Sequence, residues 1–274
     1  MTSSNKPIFA VIGGDRRISA VAQCLKEDGF EVRTFATAEG GSSTLQTALE
    51  GADTVVLPIP MTKDGSTLYA PFYNGVTELD EIFKLASSAQ IFAGLVDKDS
   101  GYNVTDYYDS EQLKILNALP TAEGAIQIAM RNTDYTISGS RCLISGFGRI
   151  SKVLAPRLRA LGADVTISAR KPQDTAWIES LGYTPVHTSR IAEIAENKNI
   201  FFNTIPHIIY DARTLLRVNK KALIIDLASA PGGVDIRSAE EMGLRVISAP
   251  GLPGRTAPLT AGKYIKQTVL NLLK

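Results

Sequence analysis

Residues 141–168 constrain this chain more than any other stretch. A β-type run, Arg141-Cys142-Leu143-Ile144-Ser145, leads directly into Gly146-Phe147-Gly148, and a helical pattern then continues through Leu161. Gly162 stops that pattern, and residues 164–168 form the next strand-like run. Strand, glycine turn, helix, strand is how a dinucleotide-binding Rossmann unit opens. Gly146 permits the tight turn, and Gly148 lets the backbone approach a pyrophosphate. The helix N-terminus that follows offers its N–H groups and dipole to the phosphates. Ser151 occupies the third position of the motif and is small enough for the helix to lie close to the strand. The competing reading is a glycine turn in an α/β domain that binds nothing; the flanking strands and helix weigh against it.

The same rhythm opens the chain. Residues 8–12 read as a strand and Gly13-Gly14 as a turn. A helix over about 18–28 places Ile18, Val21, Ala22 and Leu25 on one face, and Gly29 ends it. Strands follow at 31–35, at 54–57 (stopped by Pro58 and Pro60) and at 91–94. After Pro120, Thr121-Ala122-Glu123-Gly124 reads as the start of a helix to about Asn132. Beyond residues 141–168, strands are expected at about 183–186, 200–203, 223–227 and 245–248, and an amphipathic helix over 262–274. The expected fold class is α/β, with two Rossmann-like domains built on parallel sheets, the second binding a dinucleotide. Residues 1–119 form the substrate domain and 120–274 the NAD(P)-binding domain. The last helix is free to stay with the second domain or to fold back onto the first.

A length of 274 residues is ample for two such domains. With 29 basic against 28 acidic residues, the net charge of +1 gives no reason to expect a nucleic-acid partner, and no polybasic run points to a membrane surface. No apolar stretch of about 18 residues is present to span a bilayer. Residues 1–7 lack the apolar core of a signal peptide. Cys24 and Cys142 each sit in an apolar run and read as buried thiols, and no CxxC or His/Cys cluster points to a metal site. A reducing, cytoplasmic setting is expected. By analogy with other two-domain dehydrogenases, a homo-oligomer is compatible with this reading.

Cofactor choice is read where the second strand of the unit ends. NAD enzymes place an acid there, about 20 residues on, for the ribose hydroxyl. Here the strand ends Ser168-Ala169-Arg170-Lys171, with two cations and no acid. A guanidinium matches a 2′-phosphate, which favours NADP and leaves NAD open; the alternative is Arg170 stacked on adenine. Loops at the carboxyl ends of strands line the ligand crevice of such sheets. Expected cofactor contacts are therefore Gly146, Phe147, Gly148, Arg149, Ile150, Ala169, Arg170 and Lys171, with Thr204, Ile205 and Pro206 and then Leu227, Ala228 and Ser229 from two further loops.

Several segments together resemble the family of dipicolinate synthase A subunits, sporulation enzymes that make pyridine-2,6-dicarboxylate. They are Ile12-Gly-Gly-Asp15 with Arg17, Pro120-Thr-Ala-Glu-Gly124, Thr133-Asp-Tyr-Thr-Ile137, Gly146-Phe-Gly-Arg149, Ala169-Arg170, Asn203-Thr-Ile-Pro206, Asp226-Leu-Ala-Ser229 with Pro231-Gly-Gly233, and Ala249-Pro-Gly-Leu-Pro-Gly254. The resemblance spans nearly the whole chain. It implies NADP-dependent oxidation of a dihydrodipicolinate-type compound, a partner B subunit that resembles a flavoprotein, and action in the sporulating cell's cytoplasm. The chain departs from the family at Ser151, usually Gly, and at Leu259, where a basic residue is expected; Arg255 appears in the same loop.

A dicarboxylate calls for cations or N–H groups. Arg17, beside the Gly13-Gly14 turn, is the first candidate, with Asp15 to orient it or act on a proton; the alternative is a surface ion pair. Thr121 joins the substrate residues. Glu123 is a candidate base, against a role in first-turn helix electrostatics. His207 is a candidate acid/base, against loop packing, while His187 reads as structural. Arg255 and Thr256 could donate to a carboxylate, against simply forming a rigid turn. Two other functions stay open: a 2-hydroxyacid-type dehydrogenase, which needs a His paired with an acid, and a cofactor-binding subunit without chemistry of its own.

Overall fold

The computed structural model describes residues 6–273. Residues 1–5, most of the N-terminus read above as lacking a signal-peptide core, lie outside the described residues, as does Lys274 at the end of the expected last helix. The chain divides into two units. One comprises the chain up to Asn117 together with the segment from Pro253 onward; the other is Ala118–Leu252.

The first unit runs β1 (Phe9–Ile12), α1 (Arg16–Glu27), β2 (Val32–Phe35), α2 (Leu45–Leu49), β3 (Thr54–Val56), α3 (Leu79–Leu85), β4 (Gln90–Ala93) and β5 (Thr105–Asp106). Its five strands are parallel, in the order β2-β1-β3-β4-β5. Both faces are covered, so β1 is apolar throughout. Phe9 and Val11 turn to the cluster that holds Ile18, Val21 and Leu25, whereas Ala10 and Ile12 turn to the one that holds Leu45, Leu79 and Ile82. The short α2, α3 and β5 carry too little periodicity to be read from sequence.

Next comes α4 (Glu111–Arg131), 21 residues long. The expected helix start at Thr121 is wrong: Pro120 lies inside this helix, and Ser110 accepts from the Leu113 N–H at its true beginning. A proline removes one N–H and crowds one carbonyl, and 21 residues of helix carry that loss without breaking.

The second unit runs β6 (Arg141–Ser145), α5 (Arg149–Ala160), β7 (Asp164–Ala169), α6 (Pro172–Ser180), β8 (Thr184–His187), α7 (Ile191–Ile194), β9 (Ile200–Asn203), α8 (Ala212–Leu215), β10 (Leu223–Asp226), α9 (Ile236–Glu241) and β11 (Arg245–Ser248). Its six parallel strands take the order β11-β10-β9-β6-β7-β8, the doubly wound dinucleotide order, which reverses between β6 and β9. Cys142, Ile144, Ile200 and Phe202 face one core, and Leu143, Phe201 and Ile224 the other. Cys24 and Cys142 are free and buried, and burial pushes the Cys142 thiol up to about 12.

The chain ends with α10 (Leu252–Thr256) and α11 (Pro258–Leu272). Of the two places left open for the last helix, it takes the first domain: α11 packs on α1, in the first unit. Ile265 and Val269 enter the core beside Ile18 and Val21, and Lys266 reaches Asp28. The two helices meet at Gly262, where a Cβ would stand 2.5 Å from the Arg17 carbonyl oxygen and 2.6 Å from the Ala20 Cβ. Gly262→Val is expected to force α11 off α1 and to cost about 1–3 kcal/mol, read as a lower urea midpoint.

Candidate functional site

In the second unit, β6, β9, β10 and β11 each end on a polar residue, and these four stand in one register row. Ser145 of β6 lies beside Asn203 of β9, then Asp226 of β10 and Ser248 of β11; Ser168 of β7 continues the row on the other side. An apolar strand that turns polar at its carboxyl end marks where the core stops and the crevice begins.

Beside this row is a cavity of about 320 Å³, lined by residues 146–148, 169–171 and 204–206 with Asp174 and Thr188. Gly146 has φ +96°, and a Cβ there would come 2.7 Å from the Thr204 Oγ1 and 3.0 Å from Ile205. Only glycine fits that conformation without strain. Gly148 is the N-cap of α5, no side chain caps the helix, and nothing lies within 4 Å of the place a Cβ would occupy. A phosphate-bearing group can therefore approach the helix terminus. With Arg170 and Lys171 at the rim, these residues fit a dinucleotide.

The loops flanking the cavity are tied by a buried network. Thr204 donates through its hydroxyl (2.7 Å) and its N–H (3.0 Å) to the Ser145 carbonyl. The Asn203 amide donates to the Ile205 carbonyl (3.0 Å) and to the Asp226 carboxylate (2.8 Å), and its oxygen accepts from the Ile205 N–H. Asp226 also accepts from the N–H groups of Ala228 (3.2 Å) and Gly233 (2.9 Å). The Tyr210 hydroxyl, fully buried, meets the Ser145 hydroxyl at 2.5 Å.

In the first unit, the strand order reverses between β1 and β3, and Asp15 and Arg17 stand at that end of β1. Asp15 caps α1 by accepting from the Arg17 N–H. It also holds the Arg17 side chain through Nε (2.9 Å) and Nη2 (2.8 Å). Arg17 Nη2 donates again, to the Ile59 carbonyl at 2.6 Å. Desolvation alone would lower the Arg17 pKa, but the hydrogen-bonded Asp15 carboxylate reverses this and the pKa is raised. The guanidinium is thus buried, charged and fixed. Gly254 packs on the pair: a Cβ there would lie 2.8 Å from Asp15 Oδ2 and 2.9 Å from Arg17 Nε.

The expected site residues fall out unevenly. Gly146, Phe147, Gly148, Ala169, Arg170, Lys171, Thr204, Ile205 and Pro206 share the cavity. Arg149 and Ile150 begin α5 outside its lining, and Ile150 packs on the core. Leu227 and Ala228 are buried and Ser229 is exposed. Thr121 and Glu123 lie within α4, so the first-turn role weighed for Glu123 falls away; its half-exposed carboxylate stands 3.8 Å from Arg157 Nε. His207 is exposed. His187 caps a short turn by accepting from the Ser189 N–H. Arg255 and Thr256 form the end of helix α10 rather than a loop, with Arg255 exposed. Sequence reading missed Asp174 as an acid at the cofactor rim. It missed the Asn203–Asp226–Gly233 network as well, although three polar strand ends were its signal.

The family model for the N-terminal domain of the dipicolinate synthase A subunit matches residues 8–116. A curated relative, the dipicolinate synthase A subunit of Bacillus subtilis (strain 168), is 32% identical, with 97% of this chain and 95% of the relative covered. The chain belongs to the family of dipicolinate synthase A subunits. Two solved family structures agree. The Bacillus halodurans protein has a TM-score of 0.87 at 28% identity, covering 100% of this chain and 99% of that one. The Bacillus subtilis protein has a TM-score of 0.85 at 31% identity, covering 100% and 97%. Residues 116–233 match "D-isomer specific 2-hydroxyacid dehydrogenase, NAD binding domain". This family member therefore carries a nicotinamide dinucleotide-binding domain of the oxidoreductase kind.

Gly146→Ala pushes a methyl into Thr204 and Ile205 at a backbone angle alanine resists. It is expected to weaken dinucleotide binding at least tenfold, measured by calorimetric titration, while the unfolding midpoint falls only modestly.

Proposed function

We propose that this chain oxidises a dihydrodipicolinate-type compound to pyridine-2,6-dicarboxylate, with NADP as hydride acceptor. The observation that carries the reading is Arg17. Its guanidinium is buried, ion-paired through Nε and Nη2, and bonded to a backbone carbonyl, and Nη1 makes no hydrogen bond among the described residues. A fixed cation with an uncommitted edge suits a carboxylate. Asp15 holds it in place, and Arg255 and Thr256 of the same unit are the proposed further guanidinium and hydroxyl donors.

A dinucleotide held by the residues of that cavity would supply the acceptor for one hydride from the ring. One proton leaves with it, so the substrate loses two electrons and becomes aromatic. Glu123 and His207 are the proposed proton acceptors; both are exposed and can pass the proton to water. Arg170 and Lys171 are assigned to the 2′-phosphate, outweighing Asp174 on the same rim. The proposal includes action in the cytoplasm of a sporulating cell, a partner B subunit that resembles a flavoprotein, and a homo-oligomeric assembly. Among the described residues, no helix is long and apolar enough to cross a membrane.

One observation favours a second reading, a cofactor-binding subunit without chemistry of its own. Among the described residues neither histidine is bonded to a carboxylate; His187 bonds only Ser189. The same observation counts against a 2-hydroxyacid-type dehydrogenase.

The purified chain, given dihydrodipicolinate and NADP, is expected to yield reduced cofactor and dipicolinate in equal amounts. Cofactor binding without turnover would leave only the second reading. Arg170→Ala is expected to weaken NADP binding roughly tenfold, the order of one charge-assisted contact, and NAD binding far less. Equal losses in the two titrations would remove Arg170 from 2′-phosphate recognition.

A further inference from the structure

Asp226 is the one charged residue in the polar row across the second sheet, and it is only 4% exposed. Its carboxylate accepts from three N–H groups, those of Asn203 Nδ2, Ala228 and Gly233. Among the described residues no cation pairs with it. Buried charges are ordinarily paired with an opposite charge. Neutral donors stabilise a carboxylate but cancel none of its charge, so its field extends into the surroundings with little screening. The Tyr210 phenol stands within that field: burial raises its pKa, the hydrogen bond with Ser145 lowers it, and Asp226 raises it.

The place of that charge is specific. A dinucleotide in a doubly wound sheet crosses the point where strand order reverses, here between β6 and β9. Arg170 and Lys171 line the cavity beside β7, and with the 2′-phosphate assigned to them the adenosine half falls on that side. The nicotinamide half is left to the side of β9 and β10, where Asp226 ends the strand beside Asn203. The nicotinamide ring is positively charged when oxidised and neutral when reduced. A fixed buried anion on that side distinguishes the two states.

We propose that Asp226 is a positioning residue that acts through its charge, favouring the oxidised cofactor over the reduced one in this crevice. The inference rests on the dinucleotide reading above. Such a preference loads the crevice with the oxidised cofactor and speeds release of the reduced one, at the cost of an equal factor in the driving force for hydride transfer on the protein, which aromatisation of the substrate offsets. Over a separation on the order of 10 Å at an effective dielectric of about 20, Coulomb attraction amounts to roughly a tenfold preference.

The competing role is a mechanical one, with Asp226 only tying the two loops through Asn203 and Gly233. Such a role treats both redox states alike. The test measures dissociation constants for NADP+ and NADPH, and for NAD+ and NADH, by calorimetry on the wild type, Asp226→Asn and Asp226→Glu. Asp226→Asn keeps the size and removes the charge; its amide oxygen can still accept from Asn203 and Ala228, while its NH2 faces the Gly233 N–H, a loss of tethering that bears on both redox states alike. It is expected to weaken the oxidised forms about tenfold more than the reduced forms. Asp226→Glu restores the charge and is expected to keep the wild-type ratio even if both affinities fall. Equal weakening of both states by Asp226→Asn overturns the inference and leaves the dinucleotide reading standing. The wild type alone supplies a check that needs no variant: it should bind the oxidised form at least as tightly as the reduced form, and the reverse order overturns the proposal. If the wild type binds neither form, the dinucleotide reading fails and this inference fails with it.

Discussion

The pairing of β6 with β7 on one side and β9 on the other is the constraint on which the second unit depends. It brings the carboxyl ends of three strands together and, with β10 paired to the far side of β9, sets Ser145, Asn203 and Asp226 in one row. Gly146 can turn there only because no side chain intrudes on Thr204 and Ile205. The turn in turn exposes the start of α5, and with it the polar end of the helix. A shift of register by one residue would flip the side chains to the opposite face, so the cavity and its buried polar network stand or fall with this pairing.

The first unit follows the same logic with a different outcome. Its strand order also reverses beside the first strand, between β1 and β3, but the residue that follows the glycine turn is a carboxylate rather than a phosphate-binding glycine. Asp15 caps α1 and grips Arg17 with the same carboxylate. Where the second unit presents backbone N–H groups and a helix end, the first presents a single guanidinium that is charged despite burial. One architecture thus occurs twice, with an uncapped helix N-terminus at one strand-end crevice and a fixed guanidinium at the other.

The polar residues behind the second site do more than fill space. Asn203 spends both ends of its amide, and Asp226 takes three donors. A network so fully bonded holds the two loops in place, since breaking one contact leaves a buried partner unmatched. Gly233 makes the network possible: a Cβ there would stand 2.1 Å from the Asn203 amide nitrogen.

Much of this is legible in the amino-acid sequence itself. The strand–glycine–helix order, the two Rossmann-like units and the cations at Arg170 and Lys171 are local patterns, written in periodicities of two and 3.6 residues and in glycines placed between them. The family resemblance rested on the same local segments. The sequence misled at Pro120, where a residue that usually ends helices lies inside one, and at residues 252–256, where a proline- and glycine-rich run folds as a helical turn. Other features lay beyond local reading because their partners are distant in sequence. Asn203 meets Asp226 across 23 residues, Ser145 meets Tyr210 across 65, and Lys266 meets Asp28 across 238. Sequence determined which residues could form strands, turns and anion sites, because those depend on neighbours along the chain. The tertiary structure alone decided which polar groups would share a buried network and which helix would cover α1, because burial and pairing depend on neighbours in space.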